Sequence, residues 1–145
     1  MTLIAKVTEA REKNDWSVLV ESIPYAGFLG IRMDVKGDEL TCVMPFQKTL
    51  VGNPILPALH GGSVGGFMEC AAIFYLLWHM ETVSVPKTID FSVDYLRSPR
   101  TVDTYARAIM VKMGSRIANL RVEAWQTDHH KPIATAHGNF LLQTG

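Results

Sequence analysis

The spacing of hydrophobic and polar residues changes twice along the chain. Residues 8 to 22 repeat at helical spacing, with Trp16, Leu19, Val20 and Ile23 on one apolar stripe, and Pro24 and Gly27 close that element. Two short strands are predicted near 28–35 and 39–46, split by the turn-forming Lys36-Gly37-Asp38. A loop rich in glycine and proline, "TLVGNPILPALHGG", then leads into a run from Gly61 to Met80 that is apolar on nearly every side. That run predicts one long helix, and Pro86 ends the linker that leaves it.

Beyond Pro86 the period drops to two. "TIDFSVDYL" sets Ile89, Phe91, Val93 and Tyr95 against Asp90, Ser92 and Asp94. "VDTYARAIMVKM" is long and β-rich, and "RIANLRVEAW" sets Ala118, Leu120, Val122 and Ala124 against Asn119, Arg121 and Glu123. "KPIATAHGNFLLQ" makes a final strand, with turns at Gly114-Ser115 and Asp128-His129-His130-Lys131. Short connections between successive strands imply an antiparallel meander. A helix that is apolar all round must be covered nearly all round. A curved antiparallel sheet of about six strands wrapped around it would do this. The expected class is therefore α+β, the hot-dog architecture with an added N-terminal helix, as one domain over residues 1–145.

Composition narrows the partners. The chain of 145 residues is 48% hydrophobic and 19% charged, with 14 Lys and Arg balancing 14 Asp and Glu. Nucleic-acid and acidic-membrane partners call for clustered basic surface, and the basic residues here are scattered, so neither partner is expected. The opening "MTLIAKVTEAREKND" becomes charged too early for the apolar core of a signal peptide. Cys42 and Cys70 lack metal-ligand spacing and read as reduced, buried thiols of a cytoplasmic protein, with no metal or cofactor expected. The run from Gly61 to Met80 approaches the length of a membrane span. Glu69 near its centre, His79 near its end and four glycines make it a core helix instead.

Glu69 is the conspicuous residue of that helix. Burying an ionised carboxylate without a partner costs several kcal/mol or raises its pKa, so a partner or a chemical role is expected. Gly65 and Gly66 lie one turn before it and Ala72 close after it, which clears its face for a ligand or for a second backbone across an oligomer interface. Gly61 and Gly62 open the helix, where N–H groups lack intrahelical acceptors and no side chain blocks approach. They are candidates to donate to a developing oxyanion, or else simple turn residues. His60 would cap the helix or orient a substrate. Asn53 would contribute a polar group or close an Asx turn before Pro54.

The pattern N-x6-HGG-x6-E-x-A, followed by "TIDFSVDYLRSP", resembles the PaaI-like branch of hot-dog acyl-CoA thioesterases over most of the chain, from about residue 25 onward. A Glu at the acid position is similar to the 4-hydroxybenzoyl-CoA thioesterases. The resemblance implies hydrolysis of an acyl-CoA to free CoA and a carboxylic acid, with CoA entering as part of the substrate and no cofactor required. It implies that the Gly61 N–H polarises the thioester carbonyl, with Gly62 at the substrate. Glu69 would activate water or attack directly, and Asn53 and His60 would orient the reacting groups. Thr88 would lie near the attacking water, and Arg97, Arg100 and Arg116 are the candidates to bind CoA.

Helix geometry adds a constraint of its own. Gly61 and Glu69 are eight residues apart, or about 12 Å at ~1.5 Å rise per residue. A carbonyl held at the helix start is out of reach of the acid on the same helix, so a homodimer, or a dimer of dimers, with sites shared between subunits is expected. Two other readings remain open on sequence. One is a hot-dog acyl-thioester hydratase or dehydratase, which would use His60 with an acid; the other is a non-catalytic acyl-CoA binder.

Overall fold

The computed structural model describes residues 1–80 and 82–143. Three short helices come first: α1 (Leu3–Lys13), α2 (Ser17–Glu21) and α3 (Pro24–Leu29). Thr2 caps α1 by accepting the Ala5 N–H at 3.1 Å. Asn14 ends α1 in the left-handed region, at φ 48°, with its N–H returned to the carbonyls of Ala10 and Arg11. The single helix expected over 8–22 is therefore two, because Asn14-Asp15 supplies a C-terminal stop. The stripe itself holds, with Trp16, Leu19 and Val20 buried. Pro24 opens a helix instead of closing one, since proline suits the first helical position. Gly30, at φ 71°, ends α3 with the Ile31 N–H bonded to the Ala26 carbonyl. Phe28 and Leu29 are thus helical, and the strand expected from 28 begins at Arg32.

The strands are β1 (Arg32–Lys36), β2 (Glu39–Met44), β3 (Val51–Asn53), β4 (Ala58–Leu59), β5 (Lys87–Tyr95), β6 (Thr104–Met113), β7 (Ile117–Trp125) and β8 (Ala134–Leu141), with the long helix α4 (Gly61–His79) between β4 and β5. The six-stranded sheet runs β1-β2-β6-β7-β8-β5, with every pairing antiparallel. Strands β6, β7 and β8 form the expected meander. β5 departs from it by pairing with β8 at the far edge, while β2 lies beside β6. From β5 to β6 the chain must step across three strand spacings, about 14 Å, which the connection from Leu96 to Asp103 easily spans. Its start is held by Leu96 and Arg97 N–H groups, both donating to the Ile133 carbonyl. The small β3–β4 hairpin lies within the segment read as loop.

α4 packs against one face of this sheet, over β2, β5, β6 and β7. Its Phe67, Met68, Phe74, Leu76 and Leu77 are almost fully buried against inward-facing Met44, Leu120, Val122 and Phe140. Alanines at 106, 118, 124, 134 and 136 also face inward and are buried, which lets the helix approach the sheet closely. By length and composition α4 would pass for a membrane span, but its apolar side chains form the protein's own core. Arg11 of α1 donates to the Trp78 carbonyl, placing a cation at the negative end of the helix.

One face of α4 is left open. Gly61, Gly65, Gly66, Glu69 and Ile73 are half-buried and recur at helical spacing. The sheet covers one side of the helix, so among the described residues the all-round cover expected from composition is incomplete.

Candidate active site

The start of α4 is set by its connection to β4. The His60 N–H donates to the Leu50 carbonyl at 2.7 Å and the Leu59 N–H to that of Pro99 at 3.0 Å, which fixes the entering chain. His60 then acts as the cap: its Nδ1 accepts the Gly62 N–H at 2.8 Å. An accepting Nδ1 carries no proton, so the neutral ring holds its proton on Nε2. The His60 carbonyl accepts from the N–H groups of Ser63 and Val64 and from the Ser63 hydroxyl. Gly61 is left as the one N–H in this first turn without an acceptor among the described residues. The two glycine N–H groups are therefore not equivalent, because that of Gly62 is engaged within the chain.

Glu69 sits farther along the open face, about two turns from Gly61. It is half-buried, with no hydrogen bond or ion pair among the described residues. The buried carboxylate expected from sequence is thus partly solvated within one chain, because the sheet does not reach around to that face. The small residues before it are covered by two tyrosines of the same chain. A Cβ on Gly65 would come within 3.0 Å of the Tyr95 hydroxyl, and one on Gly66 within 3.0 Å of the Tyr25 ring. Tyr25 and Tyr95 are 50% and 53% exposed, and Phe28 stacks on Tyr25 with ring centroids 6.0 Å apart.

The remaining candidates separate into three places. Asn53 ends β3, where its Oδ1 accepts the N–H groups of Ile55 and Leu56 at 2.9 and 3.2 Å. That is the Asx turn, which occupies its oxygen in closing the hairpin tip. Thr88 stands at the opposite end of β5 from Tyr95, about 23 Å away along the strand, so within one chain it does not meet the Gly61 end of the helix. Arg97 and Arg100 line one cleft of about 360 Å³ together with Lys131, Ser98 and Asp128. Arg116 lines a different one of about 220 Å³, with Lys87 and Gln143.

The first cleft is well built. The side-chain amide of Gln126 accepts the Arg100 N–H and donates to the Arg100 carbonyl, while Arg97 donates to the Pro132 carbonyl at 2.6 Å. Because the Leu59 N–H bonds to Pro99, this cleft adjoins the segment that leads into α4. In the sequence Lys131 is only a turn residue, and Tyr95 only one member of an apolar strand face. Nothing in the local pattern marks either, since Tyr95 meets Gly61 on α4 and Lys131 meets the two arginines only in the folded chain. No three His, Cys, Asp or Glu side chains among the described residues are placed to hold a metal ion.

A long helix laid on a six-stranded antiparallel sheet is the hot-dog fold. The sequence profile described as "Thioesterase superfamily" matches residues 56–133, and the chain belongs to that family of thioester hydrolases. It is 27% identical over 139 residues to the medium/long-chain acyl-CoA thioesterase YigI of Escherichia coli strain K12, covering 86% of this chain and 89% of that one. A crystal structure of a Chromobacterium violaceum protein is similar at 37% identity and TM-score 0.78, covering 97% of this chain and 98% of that one. A phenylacetic acid degradation-related putative thioesterase of Ralstonia eutropha shares the fold at 20% identity and TM-score 0.73, covering 87% of this chain and 98% of that one.

Proposed function

We infer that this protein hydrolyses acyl-CoA thioesters to free CoA and a carboxylic acid. The observation that carries this is the pairing of one uncommitted helix-start donor, Gly61 N–H, with one unpaired carboxylate, Glu69, on the open face of the same helix. The thioester carbonyl oxygen accepts from Gly61 as it gains negative charge. Glu69 takes the proton of an attacking water or itself attacks the carbonyl carbon; in the second case water cleaves the resulting anhydride. The C–S bond breaks in either case, and CoA leaves as the thiol once it is protonated.

The separation of about 12 Å between these groups supports a site shared by two subunits. β5 is a nine-residue edge strand with Ile89 and Tyr95 exposed, the kind of edge that a second copy covers. An antiparallel seam of two β5 strands would bring the Thr88 end of one chain to the Tyr95 end of the other. The partner's Gly61 would then approach Glu69, and the open helix face would be closed. His60, through its Nε2–H, would orient the thioester. The cations Arg97, Arg100 and Lys131 suit the phosphates of CoA beside the helix start. The YigI relative and the exposed aromatic pair Tyr25 and Phe28 support an apolar acyl group. Two buried, unpaired thiols suit a reducing compartment, the cytoplasm.

The test is an acyl-CoA panel read with a thiol reagent, on the unmodified protein and on Glu69→Gln. Release of CoA that falls at least ~100-fold in the variant, with folding intact, is expected. Hydration without CoA release, saturable binding without reaction, or full activity in the variant would each overturn this function or the role of Glu69.

A further inference from the structure

Tyr95 closes β5 and its side chain crosses the start of α4. The hydroxyl donates to the Gly61 carbonyl at 2.7 Å, and the ring lies where a Cβ on Gly61 would meet it at 3.4 Å. That carbonyl shares an amide plane with the Gly62 N–H, which donates to His60 Nδ1 at 2.8 Å. Tyr95 and His60 therefore hold one peptide plane from opposite sides. The plane lies between two glycines, whose backbone would otherwise be the freest in the helix. A hydrogen bond to its carbonyl also polarises its N–H, and so strengthens the bond that orients the imidazole.

We propose that Tyr95 is a positioning residue for the thioester: holding the Gly61–Gly62 peptide, it fixes the direction of the His60 Nε2–H and, by restricting rotation about Gly61, steadies the Gly61 N–H of the preceding peptide. This rests on the hydrolase function above and adds a residue to it. The hydroxyl is committed to the Gly61 carbonyl, so it acts through the peptide. Its effect falls on the transition state, because an oxyanion needs its donor aimed more closely than a ground-state carbonyl does.

Tyr95→Phe keeps the ring and removes the hydroxyl. Expected is a fall in kcat of about tenfold, less than the ~10²–10³ for loss of an oxyanion donor itself, with KM for acyl-CoA held within about twofold. Two inert analogues sharpen the readout. Affinity for a trifluoromethyl-ketone analogue of acyl-CoA, which forms a tetrahedral oxyanion, should fall about tenfold, and affinity for the thioether analogue should not change. Gly65→Ala, whose new methyl would crowd the hydroxyl at 3.0 Å, should give a weaker form of the same pattern in a chain that still carries the phenol. Amide resonances of Gly61 and Gly62 and the ring nitrogens of His60 should shift in both variants. Unchanged kcat and ketone affinity, or equal weakening of both analogues, would overturn the proposal. Failure of the unmodified protein to hydrolyse any thioester would instead count against the function. In that case the nuclear resonances still decide whether Tyr95 holds the peptide, and unmoved signals would reject it.

Discussion

The Nδ1 of His60 accepts the N–H of Gly62 at 2.8 Å, so one imidazole both caps α4 and points its other nitrogen away from the helix. The two roles separate by substitution. His60→Ala should lower stability by about 1 kcal/mol, the usual loss for a missing cap, whereas His60→Asn supplies another acceptor and should keep most of it. If Nε2–H orients the thioester, kcat should fall at least ~tenfold in both variants. Denaturant midpoints and steady-state rates measure the two effects, and a fully active Asn variant would leave His60 as a cap alone.

Arg100 lies in the cleft with Arg97 and Lys131, while Arg116 lies elsewhere. Phosphate contacts remote from the reacting bond stabilise ground and transition states alike. Arg100→Glu should therefore raise KM for CoA esters at least ~tenfold with kcat nearly unchanged, and added salt should weaken binding to the unmodified protein. Arg116→Glu should have the smaller effect. An equal rise in KM with a pantetheine thioester that lacks the nucleotide would remove this cleft from CoA binding.

The two cysteines give a prediction about pH. Burial, and then the neighbouring Glu69 carboxylate, pushes the Cys70 thiol up to about 12. Burial, and then Cys70, pushes Cys42 up as well. A raised thiol pKa leaves the group protonated at pH 8, and only the thiolate is nucleophilic. Disulfide reagents at pH 8 should titrate neither cysteine in the folded protein and both in denaturant. Fast reaction of the native protein would mean that the core around α4 opens readily. A silent native protein also lets a thiol reagent report released CoA without background.

The sequence revealed the elements governed by local rules. α4 announced itself by length and apolarity, and β6, β7 and β8 by alternation and short turns. Asn14 and Gly30 both end helices, yet neither reads as a stop in the pattern, because the apolar stripe continues beyond the first and a strand is expected through the second. The position of β5 was not legible, since an eight-residue connection permits either the neighbouring place or the far edge. Everything that depends on that placement was hidden with it, including the Tyr95 bond to Gly61 and the gathering of Lys131 with two arginines. Glu69 was singled out because a charge in an apolar helix violates the expected pattern. Its half-exposure was not foreseen, because one chain's sequence does not say how much of the helix its own sheet covers.

Gly61 and Glu69 share one unbroken helix, and the distance between them makes the strongest demand on the assembly. Two inactive variants test it: Glu69→Gln, and Gly61→Pro, which deletes the donor at a position where proline is tolerated. Unfolded and refolded together, they should give about half mixed dimers by random pairing. With donor and acid drawn from opposite subunits, each mixed dimer has one site carrying both lesions and one carrying neither. About a quarter of all sites are then intact, and CoA release should recover to a comparable fraction of the unmodified rate. Confirmed mixed dimers that release no CoA would contradict the shared site and the placement of the thioester carbonyl at Gly61.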